Sequence, residues 1–256
     1  MNTSFLISTT GIRAYQGKLD TIANNISNVD TAGFKRREAA FADNLTVSIQ
    51  NQPHSGKETG RLSPDGIRTT FGSRLTSTSM ELTQGAPKET NQPLDLMIEG
   101  SGFFRVQRTN GEATEILYTR NGNFQPLYVG EGQIQLGTPE GDVLLDGNGN
   151  PIVIANAADF QVESDGTITG SNQRVAIFTV DNPQLLKNEG GAFSLNGANP
   201  MENDVQLRQG FLESANVDLG QEMTDVIKAQ RGLQANARAL SYADQMMGIA
   251  NGIIRS

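Results

Sequence analysis

The stretch Asp146-Gly147-Asn148-Gly149-Asn150 opens with the D-x-N-x-N spacing that presents oxygen ligands to calcium. Its sixth position is Pro151 rather than glycine, and its twelfth is Ala157 rather than glutamate. Such a loop lacks both its sharp bend and its bidentate ligand, so a double hairpin turn is the better reading. His54, between Pro53 and Ser55, is the sole histidine, and the chain has no cysteine, so a zinc site or a serine triad lacks its usual members. Gly130-Glu131-Gly132 with Gly137 has neither the spacing nor the flanking strand and helix of a dinucleotide loop. Any chain with 28 acids offers some carboxylate pair for a wall-cleaving glycosidase, but no motif singles one out here. No catalytic residue, cofactor or metal site is predicted. The basic run Lys35-Arg36-Arg37 reads as a solvated face, with a neighbour's acidic surface as the alternative.

The elements that would carry these residues are bounded by composition. A chain of 256 residues, 36% hydrophobic, is long enough for one or two packed cores. A formal charge of −8 disfavours nucleic acid, whose binding draws on clustered lysine and arginine. Zero cysteines exclude a disulfide framework. No stretch approaches the ~18 to 20 apolar residues of a spanning helix, so stable membrane insertion is not expected. The opening residues hold only the short apolar run Phe5-Leu6-Ile7 with no preceding positive charge, too little for a cleaved leader.

Periodicity divides the chain into helical ends and a strand-like middle. Phe5, Ser8, Ile12, Tyr15, Leu19, Ile22, Ile26 and Val29 fall at alternating steps of three and four, the repeat of a packed helical seam. Asn2, Thr3 and Ser4 are capping candidates, and Gly33 is a stop signal. At the other end, steps of seven give the apolar row Leu219, Val226, Leu233, Leu240, Met247 and Ile254. The companion row Met223, Gln230, Ala237, Asp244 and Asn251 is mixed, and Ile227, Met246, Ile249 and Ile253 widen the apolar face. Burying Gln230 or Asp244 unpaired would cost about 1 to 3 kcal/mol each, which argues against a simple isolated dimer.

Between the ends, Leu94–Ile98, Phe103–Gln107, Ile116–Thr119, Gln133–Leu136, Val143–Leu145, Ile152–Ile154, Val175–Val180 and Val205–Leu207 read as strands. Asn110-Gly111, Asn121-Gly122, Asp146-Gly147, Asn148-Gly149, Asp165-Gly166 and Asn196-Gly197 supply the positive φ of tight hairpins. An antiparallel sandwich or barrel follows. Arg36 to Gln84 is polar and glycine-rich, and is expected to be an extended connector with some strand.

A terminal helix with an apolar stripe has little interior of its own, and ordering costs roughly 1.5 kcal/mol per residue. Each helix needs a partner, which can be the other terminus, equivalent helices of other copies, or both. If head-to-tail contacts do not close, the product is a helical filament or tube.

The run Asn24-Asn25-Ile26-Ser27-Asn28-Val29-Asp30-Thr31-Ala32-Gly33-Phe34-Lys35 resembles the N-terminal signature of flagellar basal-body rod and hook proteins, an NN-x-x-N-x-x-T-x-GFK/R pattern after the first helix. Pro93 to Phe104, then Tyr118-Thr119-Arg120-Asn121-Gly122-Asn123-Phe124, and the tail Gln209 to Asp218 agree with it. The resemblance spans nearly the whole chain, and length and a single β middle look most like distal-rod members. Leu219-Gly220 departs from the family's usual β-branched residues there, which leaves proximal-rod and hook paralogues open.

The resemblance implies a structural subunit exported unfolded by the flagellar type III apparatus, then polymerised with itself and with other rod and hook proteins into a hollow axial structure that transmits torque. Its place would be the basal body, outside the cytoplasmic membrane. The fold expected is α+β: residues 1–35 as the N-terminal helix of an axial core, 36–84 as connector, 85–213 as an antiparallel β domain and 214–256 as the C-terminal helix, the two helices pairing in coiled-coil fashion. The polymerisation interface is expected at Phe5, Ile12, Tyr15, Leu19, Ile22, Ile26 and Val29 with Leu219, Val226, Leu233, Leu240, Met247 and Ile254. Asn24, Asn25 and Asn28 serve either helix termination or inter-subunit hydrogen bonds. Gly33 and Phe34 read as a turn with an anchoring aromatic. From other classes, a secreted β-domain adhesin with oligomerising helices and a wall hydrolase are the competing readings.

Overall fold

A long helix stands at each end of the chain in the computed structural model, which describes residues 3–44, 46–49, 67–110, 113–129, 133–154, 160–171, 173–180, 186–189, 191–195, 200–202 and 205–255. The fold is α+β, with helices α1 (Thr3–Ser27) and α2 (Leu219–Arg255) bracketing a mainly antiparallel β middle. His54, Ala157 and the Asn196-Gly197 turn lie outside the described residues. The chain divides into two units, one of Met1–Asn24, Arg37–Ser79 and Leu219–Ser256, the other of Asn25–Arg36 and Met80–Asp218.

In the first unit α1 and α2 run antiparallel. A Cβ on Gly11 would lie 2.6 Å from Asn236 Oδ1, and one on Gly232 would lie 2.4 Å from the ring of Tyr15. Residue 11 thus meets 236 while 15 meets 232, and each helix offers a glycine to the other's side chain. So close an approach favours small residues in the seam. The deepest row of α2 is Glu222, Ala229 and Ala243, with Asn236 completing its steps of seven. In α1 the buried residues are Ser8, Gly11, Ala14, Ile22 and Asn25.

The segment expected as a connector carries four strands, β1 (Arg37–Asp43), β2 (Thr46–Ile49), β3 (Ile67–Thr70) and β4 (Ser73–Met80). β1 pairs with β4, and β2 with β3 antiparallel from Thr46↔Thr70 to Ile49↔Ile67. This ribbon touches α1. Phe41 lies 6.1 Å from the Tyr15 ring, Lys18 Nζ stands 5.7 Å over Phe41, and a Cβ on Gly17 would meet Leu75.

The second unit holds β5 (Pro87–Glu89), β6 (Leu96–Glu99), β7 (Phe103–Asn110), β8 (Ala113–Thr119), β9 (Gln125–Val129), β10 (Gln133–Gly137), β11 (Val143–Leu144), β12 (Val153–Ile154), β13 (Ile177–Val180), β14 (Leu186–Glu189), β15 (Ala192–Leu195), β16 (Pro200–Glu202), β17 (Gln206–Gln209) and β18 (Phe211–Glu213). Its main sheet runs β12-β10-β11-β7-β8-β15-β14, with β9 on β10 and β13 between β7 and β16. Two further antiparallel pairs, β6 with β17 and β5 with β18, complete it.

Strand alternation explains why the central hairpin is buried on both faces. Phe104, Val106 and Leu117 enter one core with Leu136, Leu144 and Ile152. Their neighbours Phe103 and Tyr118 enter a second core with Phe178 and Phe193. The hairpin register runs from Phe104↔Thr119 to Asn110↔Ala113. At Asp146 the carboxylate Oδ1 accepts the backbone N–H of Asn148 at 2.9 Å and of Asn150 at 2.7 Å, so it organises a turn.

Candidate functional site

Each of the two units has its own feature of interest. On α1 and α2 the question is which apolar residues the helix pair leaves uncovered. Of the residues expected at the interface, Ile22 is buried, while Ile12, Tyr15, Leu19, Ile26 and Val29 are half-buried. Val226, Leu233, Leu240 and Met247 are half-buried too, Phe5 and Leu219 are 41% exposed, and the side chain of Ile254 lies outside the described residues. Several of the widening residues turn outward instead. Met223, Ile227, Met246 and Ile249 are 52 to 66% exposed, and Leu6 and Ile7 stand exposed beside Phe5. Gln230, Ala237 and Asp244 of the mixed row are also exposed, so the two polar positions need no buried partner.

The antiparallel register leaves α2 longer than its mate. Extending the 11-to-236 match brings Thr3 level with Asp244, and α2 continues to Arg255. That overhang is about 16 Å at 1.5 Å per residue. Met246 and Ile249 lie on it.

In the second unit the motif segments quoted above converge on one carboxylate. After α1, the N–H of Asn28 bonds to Asn25 O and that of Thr31 to Asn28 O, and Thr31 Oγ1 donates to Asn28 Oδ1 at 3.2 Å. Asn28 and Thr31 thus shape the turn that ends the helix, with Asn25 buried and Asn24 exposed. Gly33 follows at φ +70°, and a Cβ there would lie 2.5 Å from the backbone carbonyl of Arg120. Only glycine fits both demands. Its N–H donates to Glu213 O at 2.7 Å, and the half-buried Phe34 accepts the N–H of Asn216 at its carbonyl.

Lys35 is not on a solvated face. Its Nζ donates to Glu213 Oε1 at 2.6 Å and to Thr83 O at 2.8 Å, and its side chain is 3% exposed. Arg120, just past the end of β8, donates through Nε to Glu213 Oε2 at 2.6 Å and through its two terminal nitrogens to the carbonyls of Gly102, Ile98 and Gly100. The N–H of Gly85 adds a third donor to Glu213, at 2.8 Å to Oε1. The next basic residue behaves as expected, since Arg36 reaches Glu81 at 3.4 Å near the surface. Asn216 closes the junction, accepting the N–H of Arg36 at 2.6 Å and donating to Glu81 O and Thr83 O.

Electrostatics follow from burial and pairing. Burial pushes the Glu213 carboxyl up, but the Arg120 charge, the Lys35 hydrogen bond, the Gly85 N–H and the Arg120 hydrogen bond outweigh it and hold the group below its ordinary value. Burial pulls the Lys35 amine below its ordinary value, which the Glu213 hydrogen bond and charge only partly offset. Nothing here resembles a catalytic constellation, and among the described residues no group of three or more histidine, cysteine, aspartate or glutamate residues is placed to hold a metal. The arrangement can clamp chain segments together. Sequence reading singled out the segments containing Lys35, Arg120 and Glu213 but not their meeting.

Comparison with known proteins covers both ends and the middle. Residues 5–35 match the family described as flagella basal body rod protein, 97–170 the flagellar hook protein FlgE/F/G D1 domain, and 208–253 the flagellar basal body rod FlgEFG protein C-terminal. The chain is 32% identical to the flagellar hook-basal body complex protein FlhP of Bacillus subtilis, covering 98% of each chain. It is 33% identical to the flagellar basal-body rod protein FlgG of the same organism, covering 93% of each, and 31% identical to that of Borreliella burgdorferi, covering 96% of each.

Proposed function

The chain belongs to the flagellar basal-body rod and hook protein family, is most like its distal rod members and is a structural subunit of the rod; from that premise we propose that the flagellar type III apparatus exports it unfolded and that it polymerises into a hollow helical tube that transmits torque. It resides in the flagellar basal body, and no helix among its described residues is long and apolar enough to cross a membrane.

The observation that carries the assembly reading is the uncovered apolar surface of α1 and α2. Met223, Ile227, Met246 and Ile249, with Phe5, Leu6 and Ile7, are not buried by the chain's own pairing. Covering one such side chain is worth about 1.5 to 3 kcal/mol. Equivalent helices of neighbouring copies, and other rod and hook proteins at the ends, are the partners such a surface suits. The half-buried residues Tyr15, Leu233 and Leu240 serve this interface indirectly, by fixing the helix pair that presents it. A chain without cysteine also suits passage through a narrow conduit, because no premature disulfide can form in transit.

The test is the symmetry of what the purified full chain forms as its concentration rises. Open tubes in negative-stain micrographs support the rod reading. Closed three-fold particles would instead support an adhesin with oligomerising helices. The protein acts without enzymatic activity in this account, and clearing of a peptidoglycan zymogram by the purified chain would contradict it.

A further inference from the structure

Beyond the rod role, the second unit contains a small pocket with two cationic side chains in its lining. It is lined by Lys35 and Arg120 with Ser101, Thr179, Leu82 and Val180, and has a volume of about 40 Å³. We infer that this pocket is a binding site for one carboxylate group, supplied either by a free small carboxylate or by an acidic side chain of a neighbouring copy.

The inference rests on charge and donors. Lys35 and Arg120 have side chains 3% exposed and share the single carboxylate of Glu213, so the buried cluster carries two cations against one anion. The carbonyls of Thr83, Ile98, Gly100 and Gly102 contribute dipoles but no charge. A buried excess charge is costly, and an anion at its edge relieves that cost. Among the described residues, the acids nearest in sequence are occupied elsewhere, Glu81 with Arg36 at 3.4 Å and Glu99 with Arg208 at 3.3 Å.

Donors remain as well. An ammonium has three N–H groups and a guanidinium five. Among the described hydrogen bonds, Lys35 makes two and Arg120 four, so each has one donor left. The space accommodates two or three water-sized groups, which suits a carboxylate.

Leu82, on the rim and 37% exposed, allows a test that spares the fold. Leu82→Glu tethers a carboxylate at the pocket, and Leu82→Gln is its neutral match. Thermal unfolding of the unassembled full chain should show Leu82→Glu melting about 2 °C or more above Leu82→Gln at pH 7. A carboxylate held there has a depressed pKa, so its gain exists above the ordinary glutamate range and is lost as pH falls through the folded value. The gap between the two variants should therefore close below about pH 4.

Sodium acetate, against sodium chloride at equal ionic strength, separates the sources. A saturable rise in the melting temperature of the unaltered chain that Leu82→Glu no longer shows supports a free carboxylate. No acetate response with the variant gap intact supports a neighbour's acidic side chain. Leu82→Glu melting at or below Leu82→Gln at pH 7 overturns the site, and because unassembled protein is measured, the rod reading would stand.

Discussion

Lys35 and Glu213, separated by 178 positions in the sequence, meet Nζ to Oε1 at 2.6 Å with both side chains almost fully buried. The pair ties the segment that leaves α1 to the segment that leads into α2. Arg120 grips the other oxygen of the same carboxylate at 2.6 Å.

Replacing Glu213 with glutamine removes the anion and leaves two buried cations without their counter-charge. Loss of one partner from a buried pair costs about 3 to 5 kcal/mol. Urea unfolding of the unit containing the β core should register that loss. The exposed pair Arg208–Glu99 gives the contrast: Arg208→Ala should change stability by about 1 kcal/mol or less.

Acid should reproduce the Glu213→Gln effect in the unaltered chain. The folded pKa of Glu213 lies below its ordinary 4.5. Its contribution is therefore present above about pH 4.5 and lost as pH falls through the folded value. Lys35 acts in another window, because its folded pKa lies below 10.5 and the unfolded chain holds more protons between the two values. Stability rises with pH there. Unfolding curves for the unaltered chain and for Glu213→Gln should converge as pH falls from 5 towards 3, and a constant separation would contradict this.

Gly33→Ala should cost at least about 1 kcal/mol, because the backbone is held at φ +70° and the new methyl meets the Arg120 carbonyl. Denaturation midpoints measure it. Gly122 should be as intolerant for a different reason. It is not left-handed, but a Cβ there would sit 1.7 Å from Leu96 O. The positive φ expected of the Asn121-Gly122 turn is absent, and close approach explains the glycine.

On the helices, Ile249→Asp and Leu233→Asp should separate assembly from folding. Ile249 is 66% exposed, so its aspartate variant should keep the monomer's helix content and stability within about 0.5 kcal/mol yet abolish polymerisation. Leu233 is half-buried, so its variant should lose helical circular dichroism as well as polymerisation, with the β unit still folded. Normal filaments from Ile249→Asp would place the interface elsewhere.

Much of this architecture was legible in the sequence because the strongest signals are periodic. The steps of three and four after Phe5 mark α1, and the alternation through Phe103–Gln107 and Ile116–Thr119 marks the central hairpin. The deepest row of α2 was not legible. Large apolar residues at Leu219, Val226, Leu233 and Leu240 drew the eye, whereas close approach at Gly232 selects Ala229 and Ala243. Strands β1 to β4 were expected only as some strand within a connector, because Ser- and Thr-rich segments such as Ser73–Met80 show no apolar alternation to place them. The Lys35–Arg120–Glu213 cluster escaped because each charge sits among polar neighbours, and only the fold brings the three together.

Helical reconstruction of assembled full-length protein by electron cryomicroscopy tests the central claim most directly. The account predicts an open tube in which Met223, Ile227, Met246 and Ile249 are buried against helices of neighbouring copies. A closed ring, or a tube whose copies touch only through their β units while those side chains face solvent, would contradict it.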